Sequence, residues 1–247
     1  MRRLLLLLTL VGIIALLAHG CSSLERTLLY HPTHNPPQPP LEPWVVDGQQ
    51  IGFARPVADP QTVWLLFHGN GGQAFQRSYA LDHFSPLDAV YVLEYPGYGE
   101  RPGTPSRKSI DRAAGSAYRH LRASFPDTPV CVASESIGSG PACALAELPE
   151  PPDKIVLVAP FDHLSNVAET HFPPLLVKLF LRSDWNNAEA IAGYTGPVEI
   201  FAAQDDTIIP PDHAHALADS HQNAKFTLID GGHNDWSLDA RVRFRYP

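Results

Sequence analysis

The stretch Val130–Ala142, VCVASESIGSGPA, constrains this chain more than any other. An apolar run, Val130–Ala133, stops at Ser134-Glu135-Ser136-Ile137-Gly138, and small residues lead on into Cys143–Ala146. That order reads as a buried strand, a very tight turn and a helix, with Ser136 at the apex. A serine there holds its hydroxyl outside the turn, beside backbone N–H groups at a helix N-terminus. Both features suit a nucleophile attacking a carbonyl, because the developing oxyanion needs N–H donors and the positive end of a helix dipole. The turn departs from G-x-S-x-G at one place: Ser134 stands for the first glycine, while Gly138 keeps the second. A strand-to-helix turn that merely contains serines fits the stretch as well, so the rest of the chain must discriminate.

The pattern around it alternates. Val63–Phe67, Ala89–Tyr95, Val130–Ala133, Ile155–Ala159, Val198–Ala202 and Phe226–Ile229 read as buried strands. Helices are expected at Gln73–Phe84, Ser109–Phe125, Gly138–Leu148, around His213–Ala218, and from about Ser237 to Arg243. Trp44–Val46 and Ile51–Ala54 flank Asp47-Gly48 as a hairpin. Strands alternating with helices imply an α/β fold with a mostly parallel, doubly wound sheet. Upstream, Leu24–Tyr30 is expected to dock on the domain, and six prolines between Pro32 and Pro43 force an irregular, extended segment. Pro160 to Pro197 is longer than an ordinary crossover. It reads either as a connecting helix packed on the core or, over residues 161–196, as a small lid whose apolar face lines an acyl pocket.

The chemistry-bearing stretches each follow a strand. They are His68-Gly69-Asn70-Gly71-Gly72, then Tyr95-Pro96-Gly97-Tyr98-Gly99, the Ser136 turn, Asp205-Asp206-Thr207-Ile208-Ile209-Pro210, and Gly231-Gly232-His233-Asn234-Asp235. Ligand sites of open α/β sheets form at such carboxyl ends. Serine is a poor nucleophile at neutral pH and needs an adjacent base. His233 can take that proton as base, and a carboxylate is needed to hold its tautomer and stabilise the imidazolium. His233 is otherwise a loop histidine, and Asp206 otherwise a cap for the helix that follows.

In this order and spacing the five stretches resemble the α/β-hydrolase superfamily, and most nearly its small branch of serine-aminopeptidase-like and bud-emergence-like hydrolases. The resemblance runs from about Leu29 to the C-terminus. It implies an α/β-hydrolase fold with Ser136 as nucleophile, Asp206 as acid and His233 as base. It also implies an oxyanion hole made by the backbone N–H groups of Asn70 and Ile137, and no metal or organic cofactor. Register favours Asp206 over Asp205, because it precedes Thr207-Ile208-Ile209-Pro210 as the family's acid precedes its own apolar pair and proline. Two positions depart from the family pattern: Ser134, and Ala203 where this branch has glycine before the acid. The implied activity is a serine hydrolase cleaving an ester or related acyl substrate through an acyl-enzyme. A peptidase on the same fold, or a non-catalytic ligand-binding lipoprotein, are the alternatives.

The N-terminus carries a separate signal. Met1-Arg2-Arg3 is basic, Leu4–Ala18 is almost wholly apolar yet short for a membrane span, and Gly20-Cys21-Ser22-Ser23 resembles a bacterial lipoprotein processing site. Residues 1–20 are therefore expected to be a signal peptide. Cys21 would be lipid-modified, 21–43 a linker and 44–247 the hydrolase domain, held by a lipid anchor to a membrane of the bacterial cell envelope. The formal charge is −8, and no basic stripe accompanies it, so nucleic acid is not an expected partner. Cys131 and Cys143 are expected as buried free thiols. His213-x-His215 lacks further ligands and reads as a solvated helix face.

Overall fold

The computed structural model describes residues 25–247. The expected signal peptide and Cys21 lie outside the described residues. Eight strands form one sheet: β1 (Glu42–Val46), β2 (Gln49–Arg55), β3 (Val63–Phe67), β4 (Ala89–Leu93), β5 (Val130–Glu135), β6 (Ile155–Val158), β7 (Val198–Ala203) and β8 (Ala224–Ile229). Their order across the sheet is β1-β2-β4-β3-β5-β6-β7-β8. The β1–β2 and β2–β4 pairs are antiparallel and every other pair is parallel. Asp47 and Gly48, both at positive φ (49° and 76°), close the β1–β2 hairpin, as an Asp-Gly pair does in a tight turn.

Strand β3 shows how the layers arise. All five of its residues are buried, but Val63, Leu65 and Phe67 join one apolar cluster while Trp64 and Leu66 join another. Period-two alternation with apolar side chains in both phases demands cover on both faces. On one face lie α1 (Arg107–Ser124), α2 (Ser139–Ala144), α5 (Asn187–Ile191) and α6 (Pro211–Asp219). Helix α1 buries Ile110, Ala114, Tyr118 and Leu121 at helical spacing, and its N-cap Ser106 accepts the Ser109 N–H at 3.1 Å. The other face is covered by Phe75, Ala80 and Phe84 and by the C-terminal Val242 and Phe244.

Two expected helices come out differently. The segment Ala74–His83 folds as 3-10 turns interrupted at Arg77, whose φ and ψ of −87° and 15° leave the helical range. Its side chain is held by Glu135 at 2.6 Å, and that tertiary bond overrides the local helical pattern. The stretch Ser237–Arg243 is not a helix; only Trp236–Leu238 makes a 3-10 turn. Beyond it Val242 and Phe244 are buried and Tyr246 packs beside them, while Arg241 pairs with Asp230 and Asp239. The apolar period there is two, and an extended run places those side chains on the sheet where a helix would scatter them.

Residues 25–29 form a short helix docked on the domain. Glu25 accepts the N–H groups of Arg182, at 2.7 Å, and Ser183. The 161–196 segment contains α3 (Leu164–His171), α4 (Pro174–Phe180) and α5. Part of it is core, since Trp185 and Ile191 are buried, and part roofs the cavity described below. No helix among the described residues is long and apolar enough to cross a membrane. Cys131 and Cys143 are buried free thiols, and burial pushes both well above the ordinary thiol range. His213 is not simply solvated: its Nδ1 lies 2.8 Å from Asp162 Oδ1, while His215 is exposed and faces Asp219.

Candidate active site

Strand β5 ends at Glu135, and the next residue, Ser136, takes φ +54°. A non-glycine residue in the left-handed region is strained and persists only where its surroundings hold it. Here Ser136–Gly138 tightens at once into a 3-10 turn that runs on into α2. The glycine at 138 is required by close approach: a Cβ there would stand 2.5 Å from the Phe67 carbonyl oxygen and 2.9 Å from that of His68. Ser134, by contrast, fits inside β5 with no exposure. Its hydroxyl has no hydrogen-bond partner among the described residues.

Ser136 Oγ lies 2.9 Å from His233 Nε2, and His233 Nδ1 lies 2.6 Å from Asp206 Oδ2. Asp206 leaves β7 buried, and its other oxygen accepts the N–H groups of Ile208 and Ile209 at 2.9 and 2.8 Å. Those bonds fix the carboxylate, so one oxygen remains for the imidazole. Asp205 is exposed. Asp235, also near His233 in sequence, is engaged locally by the Gly232 N–H at 2.8 Å. A row of this kind lets a hydroxyl hand its proton to an imidazole whose far nitrogen is held by a carboxylate.

The row opens into a cavity of about 870 Å³. Asn70 and Ile137 line it beside Ser136. The Asn70 side chain is held by its neighbours, its Oδ1 accepting from Tyr98 Oη at 3.0 Å and from the His31 N–H at 3.2 Å. Its amide donates to the Leu29 carbonyl. The roof is mainly apolar, with Phe161, Leu164, Val167 and Phe172 from the segment after β6 and Leu28 and Leu29 from the N-terminal helix, and His171 as its polar member. The same helix, Phe172 and α4 border a second, almost wholly apolar groove of about 290 Å³.

Sequence reasoning passed over Glu135. It is buried, and accepts from the Gly69 N–H at 2.7 Å, Arg77 Nε at 2.6 Å, Tyr79 Oη at 2.7 Å and Trp236 Nε1 at 3.1 Å. Burial pushes its carboxyl up, but the Arg77 charge and these donors together outweigh that and hold it below the usual glutamate range. The available signal was a single acid closing a strand otherwise free of charge and wholly buried.

No protein-family model matches the chain. It is 30% identical over 257 aligned residues, covering 95% of this chain and 91% of the other, to the uncharacterized protein MT2364 of Mycobacterium tuberculosis. It is 25% identical over 182 residues to the lysophosphatidylserine lipase ABHD12 of Macaca fascicularis, a match over 65% of this chain and 46% of that protein. Among solved structures, ferulic acid-bound Est1E from Butyrivibrio proteoclasticus superposes with a TM-score of 0.61 at 15% identity, over 79% of this chain and 91% of that one. The strand order and the helices on both faces give the chain an α/β-hydrolase fold, and the near full-length match shows its kin: it belongs to the family of that mycobacterial protein.

Proposed function

We propose that the protein is a serine hydrolase acting on esters of a single long acyl chain. The observation that carries this is the bonded row from Ser136 through His233 to Asp206, ending at a cavity whose roof is apolar. In this reading Ser136 Oγ attacks the ester carbonyl and its proton passes to His233 Nε2. The backbone N–H groups of Asn70 and Ile137 receive the negative charge on the carbonyl oxygen. The imidazolium, stabilised by Asp206, then returns the proton to the departing alcohol. Water cleaves the acyl-enzyme by the same steps, with His233 again as base. The named lipase relative acts on a lysophospholipid, and the apolar roof here is suited to an acyl tail. That roof also favours an acyl ester over an aminoacyl amide, whose charged amine it would have to desolvate.

Fluorophosphonate labelling tests the nucleophile: the wild type should be labelled and Ser136→Ala should not. A series of p-nitrophenyl esters of graded chain length, run beside aminoacyl-p-nitroanilides, tests the substrate class. Faster turnover of the anilides would move the protein to the peptidases, and no turnover or labelling at all would make it a binding protein. We further propose that Cys21 carries a lipid anchor to the cell envelope, on the basic start, short apolar run and Gly20-Cys21 junction. Mass spectrometry of the mature N-terminus decides this, and an intact Met1 overturns it.

A further inference from the structure

Glu135 stands one residue before Ser136 yet takes no part in the row that links Ser136, His233 and Asp206. Its four donors arrive from three separate segments. The Gly69 N–H and Arg77 Nε meet at Oε1, and Tyr79 Oη and Trp236 Nε1 at Oε2. Arg77 also donates from Nη2 to the Gly71 carbonyl at 2.6 Å. Asn70 is thereby bracketed: the residue before it is bonded to Glu135 and the residue after it to the counterion of Glu135. On the other side, Trp236 follows His233 by three residues in the same loop.

We infer that Glu135 is a positioning residue that locks the 69–71 loop and the 233–236 loop to the strand end carrying Ser136, with Arg77 as its obligatory counterion. The inference rests on Ser136 being the nucleophile and Asn70 an oxyanion donor. Burying an ionised carboxylate is costly unless its charge is paired and its lone pairs are used. Here both conditions hold: Gly69 and Trp236 tie the two loops to β5, and Arg77 and Tyr79 add the 74–83 segment beside them. A charge placed for stability alone would have no need to reach both loops. Glu135 borders the cavity, but both of its oxygens are engaged by protein donors, so it acts through the segments it holds and not on substrate.

Glutamine at 135 keeps the volume but replaces one acceptor oxygen with an NH₂ group. That group then faces either the Gly69 N–H and Arg77 or the Trp236 Nε1–H, donor against donor, and Tyr79 alone can turn its hydroxyl to accept. With p-nitrophenyl butyrate as probe and active molecules counted by fluorophosphonate, E135Q should lower kcat by about 10- to 100-fold, a part of what losing one oxyanion donor costs. KM should stay within about threefold. R77M should do the same, and the double variant should be no worse than the poorer single one, because the two residues form one unit. Hydrogen exchange of residues 69–72 and 233–237 should speed up in each variant. A lower melting temperature with kcat per active molecule unchanged, or single effects that multiply in the double variant, overturns the inference. A wild type that neither turns over nor takes the probe overturns the Ser136 reading instead. Exchange then decides alone, and unchanged protection of both loops sinks the positioning role.

Discussion

The floor and the roof of the cavity are built by opposite means. The floor is polar and buried: Asp206 and Glu135 each have their oxygens occupied by several donors, and each donor belongs to a segment that must be in place. The roof is apolar and partly exposed. Phe161, Leu164 and Val167 are buried, while Phe172 and Leu28 stay about half in solvent. A floor bound by directional bonds has one arrangement, since each bond lost leaves a buried group unpaired. A roof held by non-directional contacts tolerates exchange of one side chain for another. In the proposed reading, reaction chemistry and substrate choice thus fall to different materials in one cavity.

The largest effect expected from breaking this contrast lies on the floor. Asp206→Asn should cut turnover of an ester by on the order of 10⁴-fold, as loss of the acid does in a comparable triad. Asp205→Asn, at an exposed site, should stay within about twofold. Reversed outcomes would shift the assignment by one residue. Next comes the backbone of the turn. Gly138→Ala pushes a methyl into the carbonyls of Phe67 and His68, so thermal unfolding should show a loss of about 1–3 kcal/mol, with activity falling alongside. Roof substitutions should be milder and selective. Phe172→Ala should raise KM for a dodecanoyl ester by roughly fivefold, the effect of about 1 kcal/mol of lost apolar contact, and leave the acetyl ester unchanged. Equal effects on both esters would mean the roof does not hold the tail. Smallest is Ser134→Ala, which removes a buried hydroxyl without a partner among the described residues. Stability should hold or rise within about 1 kcal/mol, and a loss beyond that would show the hydroxyl to be bonded in solution.

The same contrast governs what could be read from the sequence. The central strands, α1 and α6 were legible within a few residues, because each announces itself through its own apolar period. That Ser136, Asp206 and His233 stand at strand ends was legible because each follows such a strand, whereas their bonding to one another appears only in the fold. The 161–196 segment was half legible. Its apolar spacing marks helices, yet the same spacing serves Ile191 in the core and Phe172 on the roof. The C-terminal run misled because a helix was read into Ser237–Arg243, although Val242, Phe244 and Tyr246 already alternate with period two.

Local rules were enough for whatever depends on neighbours in the chain: the Asp47-Gly48 turn and the strands apolar on both faces. Tertiary structure alone decided whatever depends on residues far apart. His233 meets Ser136 across 97 positions, Glu135 meets Arg77 across 58 and Trp236 across 101. No periodicity encodes such meetings, because a hydrogen bond is specified by distance and angle, and those exist only once the sheet has brought its strand ends together. For that reason a lone acid at the end of an apolar strand looked unremarkable in the sequence and became, in the fold, the group to which both loops of the site are bonded.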